Sequence, residues 1–169
     1  MATKWNLDPT HSEITFSVKH MMISKVKGQF KAFNAEVESD DDTFKNAKVK
    51  ATVQTDSIDT NNADRDAHLR GEDFFNAEKF PTITFESDSL NNDVTGNLTI
   101  NGVTKPVQLE IDFGGIGQDP WGNTKAGFSF EGTIKRSDFG LNWNAALEAG
   151  GVLVSDDVKI AGELQFVKA

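Results

Sequence analysis

Val94-Thr95-Gly96-Asn97-Leu98-Thr99-Ile100-Asn101-Gly102-Val103-Thr104-Lys105-Pro106-Val107-Gln108-Leu109-Glu110-Ile111-Asp112-Phe113 decides how the chain is read. Val94, Leu98 and Ile100 fall on one face of an extended segment. Beyond Asn101-Gly102, the apolar Val107, Leu109, Ile111 and Phe113 alternate with Gln108, Glu110 and Asp112. Alternation with period two places successive side chains on opposite faces of a strand. Asn-Gly between two such runs is the strongest short signal for a two-residue type I′ turn, whose central residues both need positive φ. The stretch therefore predicts an antiparallel hairpin, dry on one face and wet on the other.

The same period extends outward in both directions. Ile14, Phe16 and Val18 alternate with Glu13, Thr15, Ser17 and Lys19, and Val26, Gly28 and Phe30 with Lys27, Gln29 and Lys31. After Phe30 the phase slips, and Phe33, Ala35 and Val37 are one step out; a bulge near Lys31 and Ala32 restores it. Further strands are predicted around Val49, Ala51 and Val53, around Ile83 and Phe85, around Phe128, Phe130 and Ile134, and around Val158, Ile160, Leu164 and Phe166. Eight amphipathic strands favour closure into an antiparallel barrel, because closure removes exposed edges. A two-sheet sandwich is the alternative. The length, 169 residues, suits one domain over 1–169.

One helix interrupts the pattern, between the third and fourth strands. Ala63 to Arg70 has Asn61 or Asn62 as a cap, Asp64 and Asp66 in its first turn, and Gly71 after its end. Asp66 and Arg70 are spaced to pair. A second helical turn is predicted from Asp73 to Ala77, ending before Pro81.

A weaker recurrence is apolar–x–Gly–x–apolar, centred on Gly28, Gly96, Gly132 and Gly162. Period two puts each glycine on the inner face. A glycine inside a strand bends it at a barrel corner or removes side-chain volume and opens the lumen. An eight-stranded barrel is just wide enough to fill itself or to hold one slender ligand.

Composition limits the chemistry. The net charge of −9 argues against nucleic-acid binding, which needs a basic footprint. There is no Cys and no Tyr, while Phe numbers 13. Thiolate chemistry, disulfides and phenol acid–base chemistry are therefore excluded. Asp138-Phe139-Gly140 is a chance kinase-like fragment. Gly114-Gly115-Ile116-Gly117 has no helix after it and reads as a turn leading into Asp119-Pro120-Trp121-Gly122. Asp40-Asp41-Asp42 lacks calcium-loop spacing and reads as a solvated loop. His11 and His20 fall on opposite faces, so they cannot share a metal, and no metal site or catalytic set is expected. Residues 19–31 carry four Lys and no acid around Met21-Met22-Ile23, which reads as a loop packed on the barrel end or as a portal in transient contact with a membrane. The first residues hold no apolar stretch of the secretory kind, so a cytoplasmic location is expected.

The residues resemble those of the YceI-like family over nearly the whole chain. The resemblance rests on Asp8-Pro9-Thr10-His11-Ser12, Phe16-Ser17-Val18-Lys19-His20 and Gly28-Gln29-Phe30 near the start. It continues through Ser57 to Thr60, Arg65-Asp66-Ala67-His68-Leu69-Arg70, Phe74-Phe75 and Phe80-Pro81. Gly96 to Lys105, Arg136 to Gly140 and Val158-Lys159-Ile160 complete it. It implies an all-β, extended, lipocalin-like eight-stranded barrel whose apolar lumen holds a long isoprenoid chain, such as a polyprenyl phosphate or a quinone tail. It also implies a homodimer and no cofactor beyond the bound lipid.

The lining expected for that lumen is Phe16, Val18, Phe30, Val53, Phe85, Leu98, Ile100, Leu109, Phe128, Phe130, Ile160 and Leu164, opened by Gly28, Gly96, Gly132 and Gly162. At the mouth, Lys19, His20, Met21, Met22, Arg65, His68, Phe74 and Phe75 are placed to meet a head group. Two other readings stand beside this one: an enzyme using His68, Arg65 and Asp66 on an apolar substrate, and a stress-related interaction module with a packed lumen.

Overall fold

The computed structural model describes residues 3–20, 24–72, 74–141 and 154–169. Along the chain run β1 (Thr3–Leu7), β2 (Glu13–His20), β3 (Ser24–Phe30), β4 (Phe33–Ser39), β5 (Ala47–Gln54) and β6 (Ile58–Asp59). Helix α1 (Ala63–Arg70) follows, then β7 (Thr82–Ser87), β8 (Asn92–Ile100), β9 (Val103–Gln118), β10 (Thr124–Lys135) and β11 (Val154–Lys168). Every described pairing is antiparallel.

The eleven segments are eight long strands, three of them broken. β1 and β2 both pair with β11 and are halves of one strand, parted by a 3-10 turn at Pro9–His11. β3 and β4 are parted at Lys31 and Ala32, where the sequence phase slips, and β5 and β6 by a 3-10 turn at Thr55–Ser57. The breaks match across the ladder: β4 pairs with β5, β3 with β6, and Lys31 N and Gln54 N donate across the gap to Ser57 O and Ala32 O. The ring closes through β1–β11. Among the described residues, the architecture is the closed eight-stranded antiparallel barrel with one short helix that the sequence predicts.

The first break is pinned by a carboxylate. Asp8 accepts from Thr10 Oγ1 at 2.7 Å, from the His11 ring at 2.8 Å and from Lys125 Nζ at 3.1 Å. The Thr10 hydroxyl, then His11 and Lys125, hold its carboxyl well below the usual carboxylate range.

The β8–β9 turn is Asn101-Gly102, with φ of 54° and 76°, as a type I′ turn requires. Two expectations need correction. Gly114 to Gly117 is not a turn but part of β9, whose ladder to β10 shifts register between Gly127 and Phe128. The turn lies beyond it, where the Asp119 carboxylate accepts from Trp121 N and Asn123 N, both at 2.9 Å. After α1, residues 74–80 form successive turns rather than a second helix, closed by bonds such as Phe75 N to Leu69 O and Phe80 N to Asn76 O. Asp73 lies outside the described residues.

The interior is two stacked clusters. One gathers Phe30, Val53, Ile58, Ile83, Leu98, Ile100 and Ile134 at the end where α1 sits. The other gathers Trp5, Val37, Phe44, Leu90, Phe128 and Phe166 at the opposite end.

Candidate ligand-binding cavity

Inward side chains of a solid barrel should be fully buried. Here Ile14, Phe16, Val26, Phe85, Val107 and Ile160 point inward by period yet are only half-buried. The reason is a cavity of about 610 Å³ running down the barrel from α1. Its volume lies in the range typical of small-molecule sites. A second, outer concavity of about 960 Å³ is walled by Thr15, Lys27, Gln108, Glu131, Thr133 and Lys159 together with Phe16, Ile160 and Ala161, and its mixed wall suits an apolar chain less well than the apolar lumen does.

The cavity brings together Phe16, Val18, Phe30, Val53, Phe85, Leu98, Ile100, Leu109, Phe130, Ile160 and Leu164 from the sequence-based set. It does not include Phe128, which lies deeper, stacked on Phe113 with ring centroids 5.0 Å apart. Period two fixes which face a residue takes but not its depth along the barrel axis. Ala35, Val49, Ala51 and Ile111, read from the sequence as apolar strand positions but not as lining, mark the lower part of the cavity together with Leu90, which the strand alternation does not reach.

The four inner glycines act differently from simple openings. Phe16 lies directly opposite Gly28, and Phe130 opposite Gly162. In each case the ring covers the glycine, as Phe85 covers Gly96 and Leu109 covers Gly132. A Cβ on Gly162 would stand 2.5 Å from Phe130 and 2.5 Å from the Glu13 carbonyl oxygen. Of the two roles expected, bending the strand at a corner or leaving empty volume, the second needs correction: the space at each glycine is taken by these neighbours. They let large rings lie flat on the wall instead of projecting across the lumen, the cross-strand pairing that rescues a strand glycine.

At the upper rim, α1 places Arg65, His68 and Leu69 on the cavity. Asn62 caps the helix by accepting from Arg65 N at 3.0 Å. Asp66 is buried and does not pair with Arg70 as its spacing suggested. Its carboxylate takes the backbone N–H of Thr60 at 2.9 Å and the Thr60 hydroxyl at 2.5 Å. Arg65 donates to the same threonine, through Nε to Oγ1 at 2.8 Å and through Nη2 to the carbonyl oxygen at 2.6 Å. These bonds tie α1 to the end of β6 and point Arg65 along the rim. They also occupy Asp66 structurally, away from acid–base chemistry with His68. His68 is exposed and meets Phe74 edge-on at 5.0 Å, and Phe75 packs on Phe30 at 5.9 Å. Lys19 stands on the outer face, opposite Lys25, and does not line the cavity. Met21, Met22 and the side chain of His20 lie outside the described residues.

Sequence reasoning did not place Arg136 on the cavity wall. It is 6% exposed, opens the 3-10 turn Arg136–Phe139, and donates to the carbonyl oxygens of Leu141 at 2.7 Å and Ser155 at 2.9 Å. Burial pulls its guanidinium below the ordinary value, with Asp156 opposing that shift. Its turn has no period-two pattern that would announce an inward arginine.

A deep apolar shaft, a helix across its mouth and the quoted motifs can now be set beside known proteins. The YceI-like domain model matches residues 5–166. The chain belongs to the YceI-like family. A UPF0312 protein of Staphylococcus epidermidis is 42% identical over 166 residues, covering 97% of each chain. The Campylobacter jejuni YCEI crystal structure is similar to this YceI-like chain with a TM-score of 0.76 and 35% identity, over 89% of this chain and 90% of that one. A polyisoprenoid binding domain from Saccharophagus degradans has the same fold, with a TM-score of 0.71 and 15% identity over 98% of both chains.

Proposed function

We propose that this barrel binds a long-chain isoprenoid lipid in its lumen and serves as a non-catalytic carrier or store. The observation that carries the reading is the cavity of about 610 Å³, apolar along its shaft and polar at its upper end. A linear isoprenoid has the same division: a slender apolar tail and one polar head. Its tail gains roughly 25 cal/mol for each Å² removed from water, less the cost of ordering it. Arg65, Asn62 and His68 lie where a polyprenyl phosphate or quinone head would stop. The polyisoprenoid-binding domain of the same fold supports the reading. The homodimer, the cytoplasmic setting and brief membrane contact expected from the sequence belong to this proposal as well.

Titration with a detergent-solubilised polyprenyl phosphate, read by native mass spectrometry, tests it. Wild-type protein is expected to take up one chain per barrel. Ile160→Trp, which fills the shaft from its wall, should reduce uptake at least tenfold. Equal uptake by both folded proteins would place the lipid outside the lumen.

A further inference from the structure

We propose that Phe44 is the gauge that sets how long a chain the lumen accepts; the proposal rests on the isoprenoid reading above. The cavity descends to Ala51 and, directly opposite it across the β4–β5 ladder, to Ala35, and with them to Val49 and Leu90. Ala35, Val49 and Leu90 belong to the same packed cluster as Trp5, Phe44, Phe128 and Phe166, so the floor begins where the cavity ends. Phe44 meets Trp5, Phe113 and Phe128 at centroid distances of 5.3, 5.2 and 5.0 Å. Its ring therefore stands inside the barrel, touching side chains from β1, β9 and β10.

The other floor rings stand on strands and are fixed by the ladder. Phe44 comes from the loop between β4 and β5, and it is wholly buried with φ of 60°. A bulky residue in the left-handed region is an outlier that its surroundings must hold in place. They do so: Leu90 N donates to Phe44 O at 2.9 Å, and Asn91 Nδ2 to Thr43 O at 2.6 Å. The Asp41 carboxylate accepts from Thr43 N at 2.9 Å and from its hydroxyl at 2.6 Å. A loop thus presses one ring into the packed floor behind Ala35, Val49 and Leu90, the floor residues that line the cavity, without using a wall position. With a head group held at the rim, a longer tail must displace Leu90 and its neighbours, and can do so only if the Phe44 ring packed behind them yields. An apolar pocket discriminates one methylene by about tenfold or more, and an isoprene unit is larger than that.

The test offers the full-length chain an equimolar mixture of polyprenyl monophosphates of graded length and reads the retained species by native mass spectrometry. Phe44→Leu, with Phe44→Met as the milder second variant, should move the preferred length up by at least one isoprene unit. Ala51→Leu, which fills the shaft where it meets the floor, should move it down. An unchanged length profile in a folded Phe44 variant overturns the gauge while wild-type binding keeps the lumen reading intact. Wild-type protein that retains none of the mixture overturns both.

Discussion

Phe130 and Gly162 face each other across β10 and β11, and the pair shows how a single residue shapes the lumen. Gly162→Ala forces a methyl into a ring and a carbonyl oxygen, so it should cost about 1–3 kcal/mol of stability. Gly117→Ala meets nothing within 4 Å and should stay within about 0.5 kcal/mol of wild type. Denaturant unfolding of both variants checks the contrast. Asp66→Ala leaves the buried Thr60 N–H without its acceptor and should cost about 1–3 kcal/mol, with faster amide exchange over Ala63–Arg70. Asp8 gives a pH signature. Its folded-state pKa lies below its unfolded value, so its contribution is present above the unfolded carboxylate pKa of about 3.9 and is lost as pH falls toward the folded one. Asp8→Asn should therefore flatten the acid limb of a stability profile measured by thermal unfolding. At this scale the sequence shows Arg65 and His68 on the rim because α1 is legible from its caps. It does not show Arg136, whose inward direction depends on a 3-10 turn and on Ser155 and Leu141 as acceptors.

The β8–β9 hairpin is the most legible element, since the Asn101-Gly102 turn and the alternation on both sides agree on one register. The slip at Lys31 and Ala32 is legible for the same reason: an interrupted period has to appear as an interrupted ladder. Gly114 to Gly117 is not, because three glycines carry no face information and only the partner strand reveals them as extended. The outer face of β9, β10, β11 and β2 carries a tension that local pattern does not expose. Glu131 lies directly opposite Glu110, and Glu163 opposite Glu13. Like charges in opposed positions destabilise a sheet. Glu131→Lys should thus raise stability by roughly 0.2–1 kcal/mol. The gain should shrink in high salt, as screening removes both the repulsion and the new attraction; thermal unfolding at two ionic strengths reads this directly.

On the scale of the whole molecule, eight strands close a wall, a ring-packed floor shuts one end, and α1 with its threonine anchor narrows the other. What remains is a shaft with apolar sides and a charged rim. The barrel follows from strand count and amphipathicity, both present in the sequence. The position of the floor does not, because depth along the axis depends on the stagger of strands and on a loop that returns Phe44 to the interior. The net charge of −9 makes approach to an anionic membrane unfavourable for the body of the protein, so lipid should be collected at the rim. The most direct measurement is to purify the protein from its natural host without detergent and identify what it carries by native mass spectrometry and lipid extraction. The account predicts one isoprenoid chain per barrel, released on unfolding. A barrel that is reproducibly empty, or filled by a lipid without isoprene repeats, would contradict it.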